Sequence, residues 1–130
     1  MTIELTMLAL SIVLGLVHIS LASSSATLKR GIAWNASARD APQQPLPAVA
    51  GRLERALRNF LETFPLFAAA VLLAHATGRH SWLTEWGAQL YLAARVVYLP
   101  LYAAGVPWVR SLVWSVAVLG IVMVLAGLWW

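Results

Sequence analysis

The chain contains no cysteine. Disulfides, thiolate metal sites and a protein-borne thiol nucleophile are therefore excluded. Charge is scarce too. Only 11% of the 130 residues are charged, five acidic against nine basic, where a soluble domain carries about 25%. Hydrophobic residues make up 61% of the chain, and its mean hydropathy is +0.76. This composition predicts an all-α integral membrane protein. The apolar residues suffice for four spans of about 20 residues each, with nothing left over for a soluble domain, so residues 1–130 read as a single domain. No basic patch remains outside the membrane, which argues against nucleic acid as a partner. The three histidines, His18, His75 and His80, give no metal-ligand spacing: the last two are five apart and fall on different helix faces. No metal is expected.

What is present is a succession of apolar runs divided by polar ones. A first helix is predicted from Thr2 to Lys29, with the core LTMLALSIVLGLVHISLA. Its first seven residues hold Glu4 and no Lys or Arg, so the basic start of a signal peptide is missing and the helix is expected to be retained. After Gly31 a loop to Ala48 contains Pro42, Pro45 and Pro47 and cannot be helical throughout. The second helix is predicted from Val49 to Thr77, with a bend at Pro65 and a stop at Gly78. The third runs from Trp82 to Ala104, with Ser81 as N-cap and Pro100 as a second kink. Gly105–Val106–Pro107 makes a tight turn, and Pro107 suits the first turn of a fourth helix ending at Trp130. Trp82, Trp86, Trp108, Trp129 and Trp130 fall at helix ends, as interfacial anchors do.

The cationic residues are unevenly spread. Lys29, Arg30, Arg39, Arg52, Arg55 and Arg58 lie in or beside the first loop, and Arg110 follows the last turn. The opposite side has Arg79 and His80. The positive-inside rule then makes the long first loop cytoplasmic and puts both termini outside. Asn35-Ala-Ser matches a glycosylation sequon, but it lies in that cytoplasmic loop, where the match carries no meaning.

The run RLERALRNFLETFP, Arg52 to Pro65, concentrates charge at the mouth of a membrane helix, where charge is expensive and marks a functional site. At about 100° per residue, Arg52, Arg55, Asn59 and Glu62 fall within an arc of roughly 80°, with Arg58 about 40° beyond. A plainer reading takes these arginines as topology signals paired with Glu54 and Glu62. On the third helix Tyr91, Arg95, Tyr98 and Tyr102 share an arc of about 60°. Tyr91 also reads as bundle core, and Arg95 as a structural partner of Glu62 or of backbone carbonyls. His18, deep in the first helix, reads as an interhelical hydrogen-bonding residue. The fourth helix opens with Arg110 and Ser111, and Trp114 lies one turn on. Antiparallel connectivity gathers the start of the second helix, the end of the third and the start of the fourth at one membrane surface.

The segments ERALRNFLETFP, RVVYLPLY and VRS, in that order, resemble the MAPEG family, membrane-associated proteins in eicosanoid and glutathione metabolism. The resemblance covers nearly the whole chain. It implies a four-transmembrane-helix bundle assembled as a homotrimer, with glutathione as cosubstrate bound between neighbouring subunits near the cytosolic face. Carried over by position, it implies that Arg55, Asn59 and Glu62 bind the glutathione backbone, with Arg52 and Arg58 nearby and Arg95, Tyr98, Tyr102 and Arg30 completing the binding set. It implies that Arg110 activates the thiol, beside Ser111 and Tyr102, for attack on a small lipophilic substrate drawn from the bilayer. The chain departs from some members at Trp114, in the length of the turn before Arg110 and in its proline-rich loop. The function expected is a glutathione-dependent membrane transferase or peroxidase. The alternatives are a non-catalytic protein of the same fold that binds a thiol or lipid, and a small multidrug exporter. The exporter lacks support, because the first helix carries no mid-membrane carboxylate.

The topology is checked by labelling. In this cysteine-free chain, Ser37→Cys is expected to react only with reagents supplied from the cytoplasmic side. Reaction from outside in intact cells would reverse the orientation.

Overall fold

Helix α1, Ile3–Arg30, begins where the Thr2 side chain accepts a hydrogen bond from Leu5 N–H, and ends at Gly31, whose φ of 91° suits glycine. The computed structural model describes residues 1–40, 45–46 and 48–130. After α1 comes a short helix α2, Ile32–Ala36, and then α3 at Ala48–Ala76, α4 at Trp82–Ala104 and α5 at Pro107–Ala126. Four long helices thus stand where the sequence predicts them, to within a few residues. Helix α2 was not foreseen in the loop. Pro42 and Pro47 lie outside the described residues, and Pro45 sits in irregular backbone.

The predicted caps appear. Ser81 and Thr84 form a reciprocal capping box at the start of α4, and Gly105 closes that helix in the left-handed conformation, φ 76°. Pro107 occupies the first turn of α5. The last helix ends at Ala126, short of the predicted Trp130. Gly127 approaches α4 so closely that an added Cβ would stand 2.5 Å from Thr84 Cγ2. The chain beyond it closes with tight backbone bonds, Leu128 N–H to Leu125 and Trp129 N–H to Ala126.

The burial pattern is that of a bundle in lipid. On α1 the buried residues are Glu4, Leu8, Ser11, Gly15, His18 and Ala22. Their spacing alternates four and three, the seam of a left-handed helix bundle. Small and polar groups face inward, while Leu10, Ile12, Val13, Leu16 and Val17 are exposed. Helix α3 repeats the seam through Ala56, Phe60, Thr63, Phe67, Ala70 and Ala74. Among the described residues three helices, α1, α3 and α5, are long and apolar enough to cross a membrane. Helix α4 is long enough but more polar, because it carries Glu85, Gln89, Arg95 and three tyrosines. Its Thr84, Tyr91, Arg95 and Tyr98 are all buried, whereas Val96, Val97, Trp82 and Trp86 point outward.

Helices α3 and α4 touch each other and both their neighbours, and they separate α1 from α5. The most extensive packing joins α4 to α5. Two apolar clusters result. One holds Leu8, Phe67, Val71, Ala88, Tyr91, Ile121 and Val124; the other holds Ala22, Leu53, Ala56 and Leu99. Between them in chain order, on three helices, come His18, Asn59 with Phe60, and Arg95 with Tyr98. At the far end of the first cluster, Glu4 is 1% exposed and accepts from Thr84 Oγ1 at 2.6 Å, with His80 Nδ1 3.1 Å from the same oxygen. This fastens the start of α1 to the start of α4. Charge-assisted bonds of that length are the strong ones.

Gly87 and Gly120 let α4 and α5 meet backbone to backbone. A Cβ on Gly120 would lie 2.6 Å from Gly87 O and 2.8 Å from Tyr91 N. Gly120→Ala must therefore spread the pair. We expect it to lower unfolding stability in detergent by about 1–3 kcal/mol, the usual cost of overpacking, whereas Leu119→Ala on the exposed face of α5 should change it far less. Equal effects of the two would contradict the close contact.

Candidate functional site

The C-terminal end of α4, the first turns of α5 and the first half of α3 enclose a polar cavity of about 270 Å³. Its lining is Asn59 from α3, Tyr98 and Tyr102 from α4, and Arg110, Ser111 and Trp114 from α5. Local geometry explains why these residues meet. The Gly105 turn reverses the chain within a few residues, so the last turn of α4 and the first of α5 lie side by side. Tyr98 and Tyr102, four apart, project from one face of α4. Arg52 closes the corner: its Nε donates to Ala103 O at 2.9 Å, satisfying a carbonyl that the end of α4 leaves open.

Cations and rings alternate through the site. The Arg110 guanidinium carbon stands 4.6 Å from the Tyr102 ring centroid. Tyr102 and Tyr98 are 5.5 Å apart, tilted by 43°. Arg95 stands 4.3 Å from the Tyr98 ring. Cation–π contacts of this kind contribute about 0.5–2 kcal/mol each, more where water is excluded. Arg95 is 0% exposed and does not line the cavity; its Nη1 donates to Asn59 Oδ1 at 2.8 Å. Arg110 makes no ion pair among the described residues, so its charge is not neutralised by a carboxylate there.

The structure brings five of the expected residues together at this cavity: Asn59, Tyr98, Tyr102, Arg110 and Ser111. It treats the others differently. Arg55, Arg58 and Glu62 are exposed on α3 and do not line the cavity. Arg52 is engaged with the α4 terminus rather than standing free on a common face with them. Arg30 lies across α3, in a second cavity of about 320 Å³ lined among others by Ser23, Trp34, Asn35, Arg39 and Glu54. The pairings of the plainer reading do not form as drawn. Glu54 lies 3.8 Å from Arg30 and not against an α3 arginine, and Arg95 takes Asn59 rather than Glu62. Tyr91 proves to be core, stacked on Phe67 at 4.0 Å with its hydroxyl 2.9 Å from Thr63 Oγ1. The hydrogen bond expected of His18 is missing: neither ring nitrogen has a partner among the described residues. Its ring stacks on Phe60 at 4.8 Å instead, where aromatic carbon surrounds it and offers no acceptor.

The second cavity was not foreseen. Arg30 and Arg39 stand 5.2 and 5.4 Å from the Trp34 ring centroid. Arg39 has a left-handed backbone, φ 63°, and its Nη2 donates to Asn35 Oδ1 at 2.7 Å. Only the clustering of two arginines about one tryptophan foreshadowed it in sequence, and the short helix that folds Trp34 back onto Arg30 has no periodicity long enough to read.

The model of the MAPEG family matches residues 7–130. The chain belongs to the MAPEG family. No curated protein and no solved structure matches it. The match spans every residue of both cavities, and with three apolar helices it makes this MAPEG protein a membrane protein. Family membership points to glutathione-related or eicosanoid metabolism.

The role of Arg52 is separable from that of the cavity. Arg52→Ala removes a charged donor from a helix-end carbonyl and is expected to cost about 1.5–3 kcal/mol of stability. Arg58→Ala, at an exposed position with no such bond, is expected to leave unfolding in detergent nearly unchanged.

Proposed function

We propose that this MAPEG protein is a glutathione-dependent membrane transferase or peroxidase that activates the glutathione thiol for attack on lipophilic electrophiles or hydroperoxides. The observation that carries the reading is the convergence of Arg110 with Ser111 and Tyr102 in one polar cavity at the α4–α5 turn. A thiol with a pKa of about 8.5 is only a few per cent thiolate at neutral pH. A guanidinium without a carboxylate partner, flanked by two hydroxyl donors, supplies the fixed positive field that favours the thiolate. Arg110 then stabilises the anion, and Ser111 or Tyr102 donates a second hydrogen bond.

The rest of glutathione needs a wider site. Binding pockets for small molecules run about 300–1,000 Å³, and the 270 Å³ cavity of one copy is small for a tripeptide and a cosubstrate together. In the proposed assembly, a homotrimer, Asn59 with the exposed Arg55 and Glu62 holds the two carboxylates and the ammonium. Arg58 stands nearby, and Arg30 reaches in from the neighbouring copy. Planar arginine forks suit carboxylates, and Glu62 suits the ammonium. All four long helices cross the bilayer in this reading. Helix α4 crosses despite its polarity because its polar side chains are turned inward. The termini lie outside and the first loop in the cytoplasm, so glutathione enters from the cytosol and the lipophilic substrate from the lipid.

Two sets of variants test this. Arg55→Ala or Glu62→Ala is expected to weaken glutathione binding by about 1–3 kcal/mol; unchanged affinity in folded protein would remove them from the site. Arg110→Ala is expected to abolish most of the thiolate absorbance of bound glutathione and most of the conjugation rate while binding persists. Arg110→Lys, a point charge without the planar fork, should keep part of both. Wild type that binds glutathione but shows neither thiolate nor turnover with any lipophilic electrophile would make it a non-catalytic binder.

A further inference from the structure

Arg95 is the largest fully buried side chain of the protein, and it is a cation. It lies among α1, α3 and α4, behind the wall of the polar cavity and not in it. Its contacts are specific. Nη1 donates to Asn59 Oδ1 at 2.8 Å, the guanidinium lies over the Tyr98 ring at 4.3 Å and beside the Phe60 ring at 5.4 Å. Nε and Nη2 have no partner among the described residues. Asn59 and Tyr98, the two groups it holds by a hydrogen bond and by its face, are both cavity-lining. A mid-bundle guanidinium is costly to bury, and this one makes its one hydrogen bond among the described residues to a residue of the cavity lining.

An asparagine amide has two orientations related by a half-turn, one offering its oxygen and the other its NH₂. A guanidinium is a donor only. Its bond therefore fixes Oδ1 toward the bundle interior and leaves the two Nδ2 hydrogens for the other side. We propose that Arg95 is a positioning residue that locks the Asn59 amide so that the cavity presents a donor, not an acceptor, at that point. The inference rests on the glutathione reading above and sharpens it. With Asn59 so oriented, Asn59, Tyr98, Tyr102, Arg110 and Ser111 all have a hydrogen to donate, which suits a carboxylate or thiolate. A reversed amide would aim a carbonyl oxygen at the same anion. Arg95 itself touches no cosubstrate in this arrangement, which departs from the binding role the family resemblance gives it.

The chain has two asparagines, Asn35 and Asn59, so isotope-labelled asparagine gives two side-chain amide pairs by NMR in detergent. Arg95→Met is expected to move the Asn59 pair and leave the Asn35 pair in place. Arg95→Lys, which retains a donor cation, should recover part of the wild-type position. In kinetics, Arg95→Met should raise KM for glutathione about tenfold, as loss of one well-placed hydrogen bond does, with kcat much less affected. Adding Arg95→Met to Asn59→Ala should cost little more, because the two act as one unit. An Asn59 signal indifferent to Arg95, or losses that multiply independently in the double variant, would overturn the positioning role. Glutathione failing to shift the Asn59 pair of the wild type would instead remove glutathione as the ligand, while the Arg95 dependence of that pair would still decide whether the amide is locked.

Discussion

In lipid the outside of a bundle must be apolar, so every polar group the chain carries through the membrane has to find its place on the inside. Much of the architecture follows from that constraint. The stripe that α1 turns inward contains Glu4, Ser11 and His18 alongside Leu8, Gly15 and Ala22, while Leu10, Ile12, Val13, Leu16 and Val17 face out. Without a hydrophobic difference between lipid and core, close packing of small residues and interhelical bonds hold the helices. The Gly87–Gly120 contact supplies the first and the Glu4–Thr84 bond the second. Helix α4 shows the constraint at its sharpest, since Thr84, Tyr91, Arg95 and Tyr98 are all buried on its inner face.

The same constraint places the candidate site. A buried arginine cannot be left in carbon, and Arg95 is accommodated by an amide and by ring faces rather than by a carboxylate. That choice matters chemically. A carboxylate partner would have neutralised the cation; Asn59 and Tyr98 leave its field largely uncancelled. Arg95, Tyr98, Tyr102 and Arg110 follow one another in contact, so two cations bracket a pair of phenols. Among the described residues the lining of the cavity includes a cation and no carboxylate.

The sequence made the long helices legible because each is bounded by strong local chemistry: Ser81 with Thr84, Gly105, Pro107, and the apolar runs between them. It made the cavity partly legible because residues four apart share a helix face, which joined Tyr98 to Tyr102, and because the short α4–α5 turn brings Arg110 to the same cavity. Helical phase alone did not tell the α3 polar residues apart. Arg52, Arg55, Asn59 and Glu62 do lie in one arc, but neighbours decide what each does, and the carbonyl of Ala103 captures Arg52, whereas Arg55 and Glu62 make no hydrogen bond or ion pair among the described residues. The path that folds Trp34 and Arg39 beside Arg30 was not legible, since a five-residue helix carries too little pattern. Nor was the solitude of His18, because a periodic pattern shows that a residue is buried and not whether an acceptor waits for it.

The separation of the two cavities bears on how the proposed function would bring a polar and a lipophilic reactant together. Asn59 opens toward one side of α3 while Glu54 and Leu57 line the other. The helix therefore presents polar residues to a cavity on each of two faces. Arg55, Arg58 and Glu62 are exposed in a single copy, open to water or to a further partner. Their exposure, the small volume of the cavity and the arginine pair across α3 are explained together if one copy supplies the thiol-activating end and another the basic end. The polar ligand would then enter along the cytoplasmic surface, and the apolar faces of α1 and α5 would deliver the lipophilic reactant at the same depth as Arg110.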